Sequence, residues 1–319
     1  MTARQSHGQA KSKQDWHSRL EMFEWKASPY LYIAPFFILF LIVGLFPLLY
    51  TMWIATRQFN TLTGDAGFAV CGSTCGTTNA SWFGNFMWVL HQPTFYVALR
   101  NSVSIFLLSS VPQIIIALWL AWVLDANLKA KTFWRMGVLL PYIVAPSAAG
   151  IIFSQVFSDK MGAINVLLQQ IGMHPIMWFS NAWTARAVII IALVWRWTGY
   201  NMVFYLSGMQ NIEYSIYEAA KIDGASPLQT FFKITVPLLK PMILLSTITS
   251  TNGTLQLFDE SLNLTNGGPG KSTMTMSHYI YNMSFVQSPN FGYAAAMSIL
   301  ILIMVAILAL IQMKVGDER

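Results

Sequence analysis

The chain has 319 residues, 55% of them hydrophobic and only 10% charged, with 12 Trp and a formal net charge of +6. Soluble domains carry about 25% charged residues, so the deficit excludes an ordinary soluble domain and points to a membrane. The basic residues are spread over short loops and form no patch, which argues against a nucleic-acid partner and leaves them as markers of topology.

Residues 1–29 form a polar tail with Arg4, Lys11, Lys13, Arg19 and Lys26. The apolar run behind it is longer than the roughly 7–15 residue core of a signal peptide, and no small-residue cleavage site follows. It is expected to be a retained first span. A helix needs about 20 apolar residues to cross a bilayer, and the stretches that qualify are 31–55, 97–124, 133–157, 185–209, 236–262 and 291–313. The expected architecture is therefore an all-α polytopic membrane protein with a transmembrane domain over 30–313 and a short tail over 314–319. Pro35, Pro47, Pro112, Pro141 and Pro146 fall inside these stretches, which implies kinked helices whose freed carbonyls are satisfied within a packed bundle.

Counting Lys and Arg in alternate loops sets the orientation. One side carries the tail, Lys129, Lys131, Arg135, Lys221, Lys233, Lys240, Lys314 and Arg319; the other carries only Arg57, Lys160 and Lys271. Both termini are expected in the cytoplasm and the loop 57–96 outside. Cys71 and Cys75 lie in that loop without the further ligands of a zinc site; a small disulfide and two free thiols both fit.

Isolated polar groups inside spans usually face a cavity or a partner. The fourth stretch holds Arg196, Trp197, Tyr200 and Asn201, and the fifth crowds Ser246, Ser250, Asn252, Gly253, Thr254 and Gln256 ahead of Asp259 and Glu260. For Arg196, pairing with a carboxylate or with carbonyls inside the bundle is one reading, and its role stays open. Trp197, Tyr200, Asn201, Ser250, Asn252, Gln256 and Asp259 read as lining a translocation path, since aromatic faces stack on sugar rings while amides bond hydroxyls.

Between these stretches lies the polar island EAAKIDGASPLQTFFKITVP, within an elbow over 211–237. Charges at Glu213 and Lys221 complement the macrodipole of a first helix. Gly224 suits its C-terminal stop, and Ser226, Pro227 and Gln229 have the spacing of a capping box on a second helix. Ala219 and Ala220 give a small-residue face suited to close contact with another protein.

TNGGPGKST (265–273) ends like a phosphate-binding loop, but Thr265 stands where the first glycine belongs and no strand is expected before it. Neither a clustered histidine set nor a serine nucleophile motif is present. Asp259 and Glu260 are adjacent and diverge on a helix, which argues against an acid–base pair. No catalytic, metal or cofactor site is expected in this chain.

The pattern Glu218, Ala219, Ala220, Gly224, Ile234, Pro237 resembles the signature loop of permease subunits of binding-protein-dependent ABC importers, with Val236 in place of the usual leucine. Phe258–Asp259 ahead of Thr265–Pro269 is similar to the element after span five in carbohydrate-importer permeases. Ala34, Pro35 and Phe36 resemble the first permease of such pairs. The resemblance implies a type I importer permease fold in the bacterial inner membrane and import of a di- or oligosaccharide. It implies as partners a second permease, two ATPase subunits that bind the ATP and Mg, and an external solute-binding protein. Glu218, Ala219, Ala220, Asp223 and Gly224 would couple to the ATPases, and Asn266, Gly267, Gly268 and Pro269 would meet the binding protein. The rival reading, an ion-gradient-driven secondary transporter, wants a buried carboxylate and inverted repeats; only Asp259 and Glu260 are on offer.

Overall fold

The computed structural model describes residues 28–60, 62–72, 75, 77–126, 129–286 and 289–317. Apart from its last two residues, the N-terminal tail lies outside them, as do residues 318–319.

Helix α1 (Ser28–Ala55) contains a π segment at Phe40–Leu45. No residue from 28 to 54 is buried, as suits a helix solvated by lipid, and the part up to Ile54 forms a unit of its own. The second unit starts at Ala55. Two antiparallel hairpins open it, β1 (Arg57–Asn60) with β2 (Gly64–Phe68) and β3 (Val70–Gly72) with β4 (Thr77–Ala80). A short helix α2 (Gly84–Leu90) follows, whose buried Asn85 donates to the carbonyls of Ala55 and Arg57 at 2.9 and 2.8 Å.

The core is built on two long helices, α3 (Pro93–Asp125) and α7 (Ala182–Gln210). Small residues at Ala117 and Ala121 let α3 approach Met202, Tyr205 and Met209 of α7, and Ile105 packs on Val188, Ile189 and Ala192 further along. With no hydrophobic force between helices in lipid, such close packing and buried polar bonds hold a bundle together. Gln113 of α3 supplies one, donating to Ser250 Oγ at 3.3 Å.

Two of the expected spans are not single rods. The stretch 133–157 is α4 (Lys131–Ile143) and α5 (Pro146–Val156), bent by 95°. Pro146 forces Ala145 out of the helical region, to φ −56° and ψ 136°. The stretch 236–262 is the end of α9 (Pro227–Leu238), then α10 (Lys240–Leu255), bent by 67°, and the separate helix α11 (Asp259–Thr265). Pro241 has no N–H to give to the turn before it, so a new helix starts there. Between these elements run α6 (Ala163–Gln170) and α8 (Tyr214–Ile222), and the chain closes with α12 (Met276–Tyr281) and α13 (Phe291–Asp317). Among the described residues four helices are long and apolar enough to cross a membrane, six if each bent pair is one span.

Candidate functional site

Three surfaces of the second unit carry the residues singled out in the sequence. At one end of α7 the chain turns through Asn211 into the elbow. Helix α8 ends in a complete Schellman closure: Ala225 N–H donates to Ala220 O at 2.9 Å and Gly224 N–H to Lys221 O at 3.2 Å, with Gly224 at φ +77°. Helix α9 starts on a full capping box, Ser226 N–H to Gln229 Oε1 at 2.9 Å and Gln229 N–H to Ser226 Oγ at 3.3 Å. Phe231 roots the second arm by packing on Trp122, ring centroids 5.2 Å apart. Glu218, Ala219, Asp223 and Gly224 are exposed at the tip beside Ile222 and Leu228. Ala220 is not: it turns inward, 6% exposed, so only Ala219 of the small-residue pair faces outward. Glu213 is the N-cap residue of α8 and not part of its first turn.

The second surface is a polar and aromatic face. Thr249, Asn252 and Gly253 form an exposed stripe on α10 that continues into its C-cap Gln256, whose Nε2 donates to Asn252 Oδ1 at 2.6 Å. A Cβ on Gly253 would sit 3.6 Å from the Trp197 ring, so α7 brings its aromatics beside this stripe. Tyr200 stacks on Tyr142 of α4 at 4.8 Å, and Trp197 meets Tyr142 edge-on at 5.4 Å. Asp259 is half-buried at the start of α11. Asn201 and Ser250 lie elsewhere: Asn201 is 1% exposed, and Ser250 is held by Gln113 on the packed side of α10 with Ser246 and Thr254. Both fall one helical face away from the open stripe, because positions one residue apart on a helix point about 100° apart. Tyr142 was missed because a helix read as one unbroken rod from 133 to 157 offers no reason to bring that residue to α7. Arg196, next to Trp197, pairs with Glu260 at 3.1 Å, with side-chain exposures of 15% and 5%.

The third surface is the loop after α11. Arg186, whose backbone lies one turn into α7, reaches this loop, whereas the elbow follows Gln210; at 1.5 Å per residue these two residues are about 36 Å apart along the helix. Asn266 caps α11 at φ 48°, and Gly267 follows at φ 77°. The loop's own N–H groups turn inward, Ser272 to Pro269 O at 2.9 Å and Thr273 to Gly267 O at 3.3 Å. A helix, α11, and not a strand leads into the loop, so the resemblance to a nucleotide loop ends at the sequence. Underneath, Ser261 Oγ donates to Thr273 O at 2.8 Å and contacts His278 Nδ1 at 2.8 Å. The serine has one proton, so Nδ1 carries the hydrogen in that contact and the buried Nε2 is left without a partner. Burial holds the His278 imidazole below its ordinary range. Cys71 and Cys75, in the hairpin region, have Cα atoms 5.7 Å apart and sulfurs in contact. Among the described residues no group of three His, Cys, Asp or Glu could hold a metal ion.

Comparison with known proteins gives these surfaces a setting. Residues 80–317 match the model of the family described as the binding-protein-dependent transport system inner membrane component. The chain is 46% identical over 241 residues to the lactose transport system permease protein LacF of Rhizobium radiobacter, covering 74% of this chain and 80% of the relative. It is 31% identical over 296 residues to the arabinooligosaccharides transport system permease protein AraP of Bacillus subtilis, covering 92% and 90%. The fold is like that in the crystal structure of a bacterial ABC transporter involved in the import of the acidic polysaccharide alginate, with a TM-score of 0.76 at 20% identity over 93% of this chain and 98% of that one. The chain belongs to the inner membrane components of binding-protein-dependent transport systems, and is a non-catalytic permease subunit of an ABC importer.

Proposed function

We propose that this subunit passes a di- or oligosaccharide into the cytoplasm, as the first permease of a heterodimeric pair served by two ATPase subunits and an external binding protein. The observation that carries the sugar reading is the face on which Tyr142, Trp197 and Tyr200 adjoin Asn252 and Gln256. Rings of this kind offer flat apolar area to a pyranose while the amides offer donors and acceptors to its hydroxyls. Relatives named for lactose and arabinooligosaccharides support the same class.

Both termini and the elbow face the cytoplasm in this reading, on the strength of the Lys and Arg count. Glu218 to Gly224 then enter a cleft on an ATPase. Closure of the ATPases around ATP favours one packing of the spans over the other. Asn266 to Pro269 meet the binding protein on the outside, where Cys71 and Cys75 form a disulfide.

The test is ATP-driven uptake of labelled lactose or an arabinooligosaccharide into proteoliposomes holding the full complex. Glu218→Ala and Gly224→Pro are expected to insert and assemble but not to transport. Normal import by either variant removes the coupling role, and absence of saturable uptake of any sugar removes the substrate class.

A further inference from the structure

Helix α7 grips the segment 259–274 at two points, and both grips are arginines. Arg196 bonds Glu260 at the start of α11 at 3.1 Å. About 15 Å further along the helix axis, Arg186 Nη2 donates to Ser272 O at 2.9 Å and to Asn101 Oδ1 at 3.1 Å. Asn101 then donates through Nδ2 to Lys271 O at 2.8 Å and Met274 O at 3.0 Å. Asn101 is fully buried and Arg186 is 6% exposed. Three loop carbonyls that no helix or strand satisfies are thus met by two side chains, one from α3 and one from α7.

Bonds to a charged donor are stronger and more directional than neutral ones, and removing the Asn101 amide takes the side-chain donor from the buried Met274 carbonyl. A loop with φ above zero at Asn266, Gly267, Gly270 and Lys271 has little helical or strand pairing to keep its shape. Its own turns and the bonds of Ser261 and Thr265 to Thr273 tie it to α11, and Arg186 and Asn101 tie it to α7 and α3. Helix α7 runs without a break from Arg186 to Gln210 and then enters the elbow.

We propose that Arg186 and Asn101 are positioning residues that make the 265–274 loop move as one body with α7, so that docking of the binding protein on the loop is felt at the elbow. This rests on the importer reading above. Neither residue touches a partner protein or the sugar; they act through the loop.

The experiment uses the complete complex in nanodiscs and measures ATP hydrolysis against the concentration of sugar-loaded binding protein, for Arg186→Gln, Asn101→Ala and the double variant. The binding-protein-independent rate is expected to be unchanged. The saturated rate falls about tenfold, within the usual range of coupling between sites, while the half-saturating concentration moves by less than about threefold. Because both residues act at one joint, the double variant is no worse than the worse single one. The proposal is overturned by full stimulation in the variants. It is equally overturned by a rise in half-saturating concentration with the saturated rate kept, which would make the loop a docking surface only. A loss of complex yield or basal rate in both single variants would make the bonds part of the fold alone. A wild-type complex indifferent to its binding protein would sink the importer reading and this one with it.

Discussion

Gly199→Ala tests whether the aromatic face depends on the close approach of α4 to α7. A Cβ at Gly199 would lie 2.8 Å from the carbonyl carbon of Val138 and 2.9 Å from Leu139 Cα. Carbon atoms pack at about 3.5–4.0 Å, and these obstacles are backbone, so α4 must retreat by roughly 0.7 Å or more. Overpacking of this kind costs about 1–3 kcal/mol. The retreat also carries Tyr142 away from Tyr200, now stacked at 4.8 Å, a pair contributing about 0.5–1.5 kcal/mol. The expected total is about 2–4 kcal/mol, read as a lower thermal midpoint of the purified complex, with uptake lost in proteoliposomes. Gly137, on the same helix α4, has nothing within 4 Å of its would-be Cβ, so Gly137→Ala serves as the control and gains up to about 1 kcal/mol of helix propensity. If Gly199→Ala behaves like Gly137→Ala in both assays, the approach of α4 to α7 does not hold the face together.

Breaking the Arg196–Glu260 pair by Glu260→Ala should destabilise the complex by about 3–5 kcal/mol, whereas Arg196→Met with Glu260→Leu recovers most of it, because a stranded buried charge costs more than a missing pair. Equal losses in the single and double variants would refute this. Ser226→Ala removes one half of the capping box and should cost the elbow about 1 kcal/mol; protease cutting within 213–235 is expected to rise about fivefold at unchanged membrane insertion. For His278 the folded imidazole titrates below the ordinary value, so the unfolded chain takes up the proton first. Its contribution to stability is complete above about pH 6.5 and is lost as pH falls through the lower folded value. The thermal midpoint of the wild type should drop more steeply on acidification than that of His278→Gln, and parallel curves would exclude it.

The elbow was legible in the sequence because local chemistry decides it. Ser226 with Gln229 and glycine at position 224 specify their caps without help from the rest of the chain. The apolar stretches were legible for the same reason, since hydropathy over a window needs no partner. The face of each polar residue was not legible at single-residue resolution. Asn201 and Ser250 were placed on the open side but sit inside, and Ala220 turns inward beside Ala219. Rotation of a helix about its axis is set by its neighbours, here Gln113 and the α3–α7 packing. Arg186 and Asn101 escaped notice because their partners, the carbonyls of 271, 272 and 274, are far away in sequence and carry no side-chain signal.

The two departures from straight spans explain one another's use. A proline inside a long helix would be a defect if the helix only had to cross lipid, but at Pro146 the 95° turn sends α5 onto α11, where Gly150 lets the backbone come against Asn263. A Cβ at Gly150 would sit 2.7 Å from Asn263 Cβ, so that crossing exists only because the residue is glycine. Segment α11 is thereby held from α5 as well as by Arg196 of α7. At Pro241 the 67° turn does the equivalent at the other end, releasing α9 from the bundle as the elbow's second arm while Phe231 keeps it rooted. Each break ties a surface segment to the packed core, as the relay proposed between the 265–274 loop and the elbow requires.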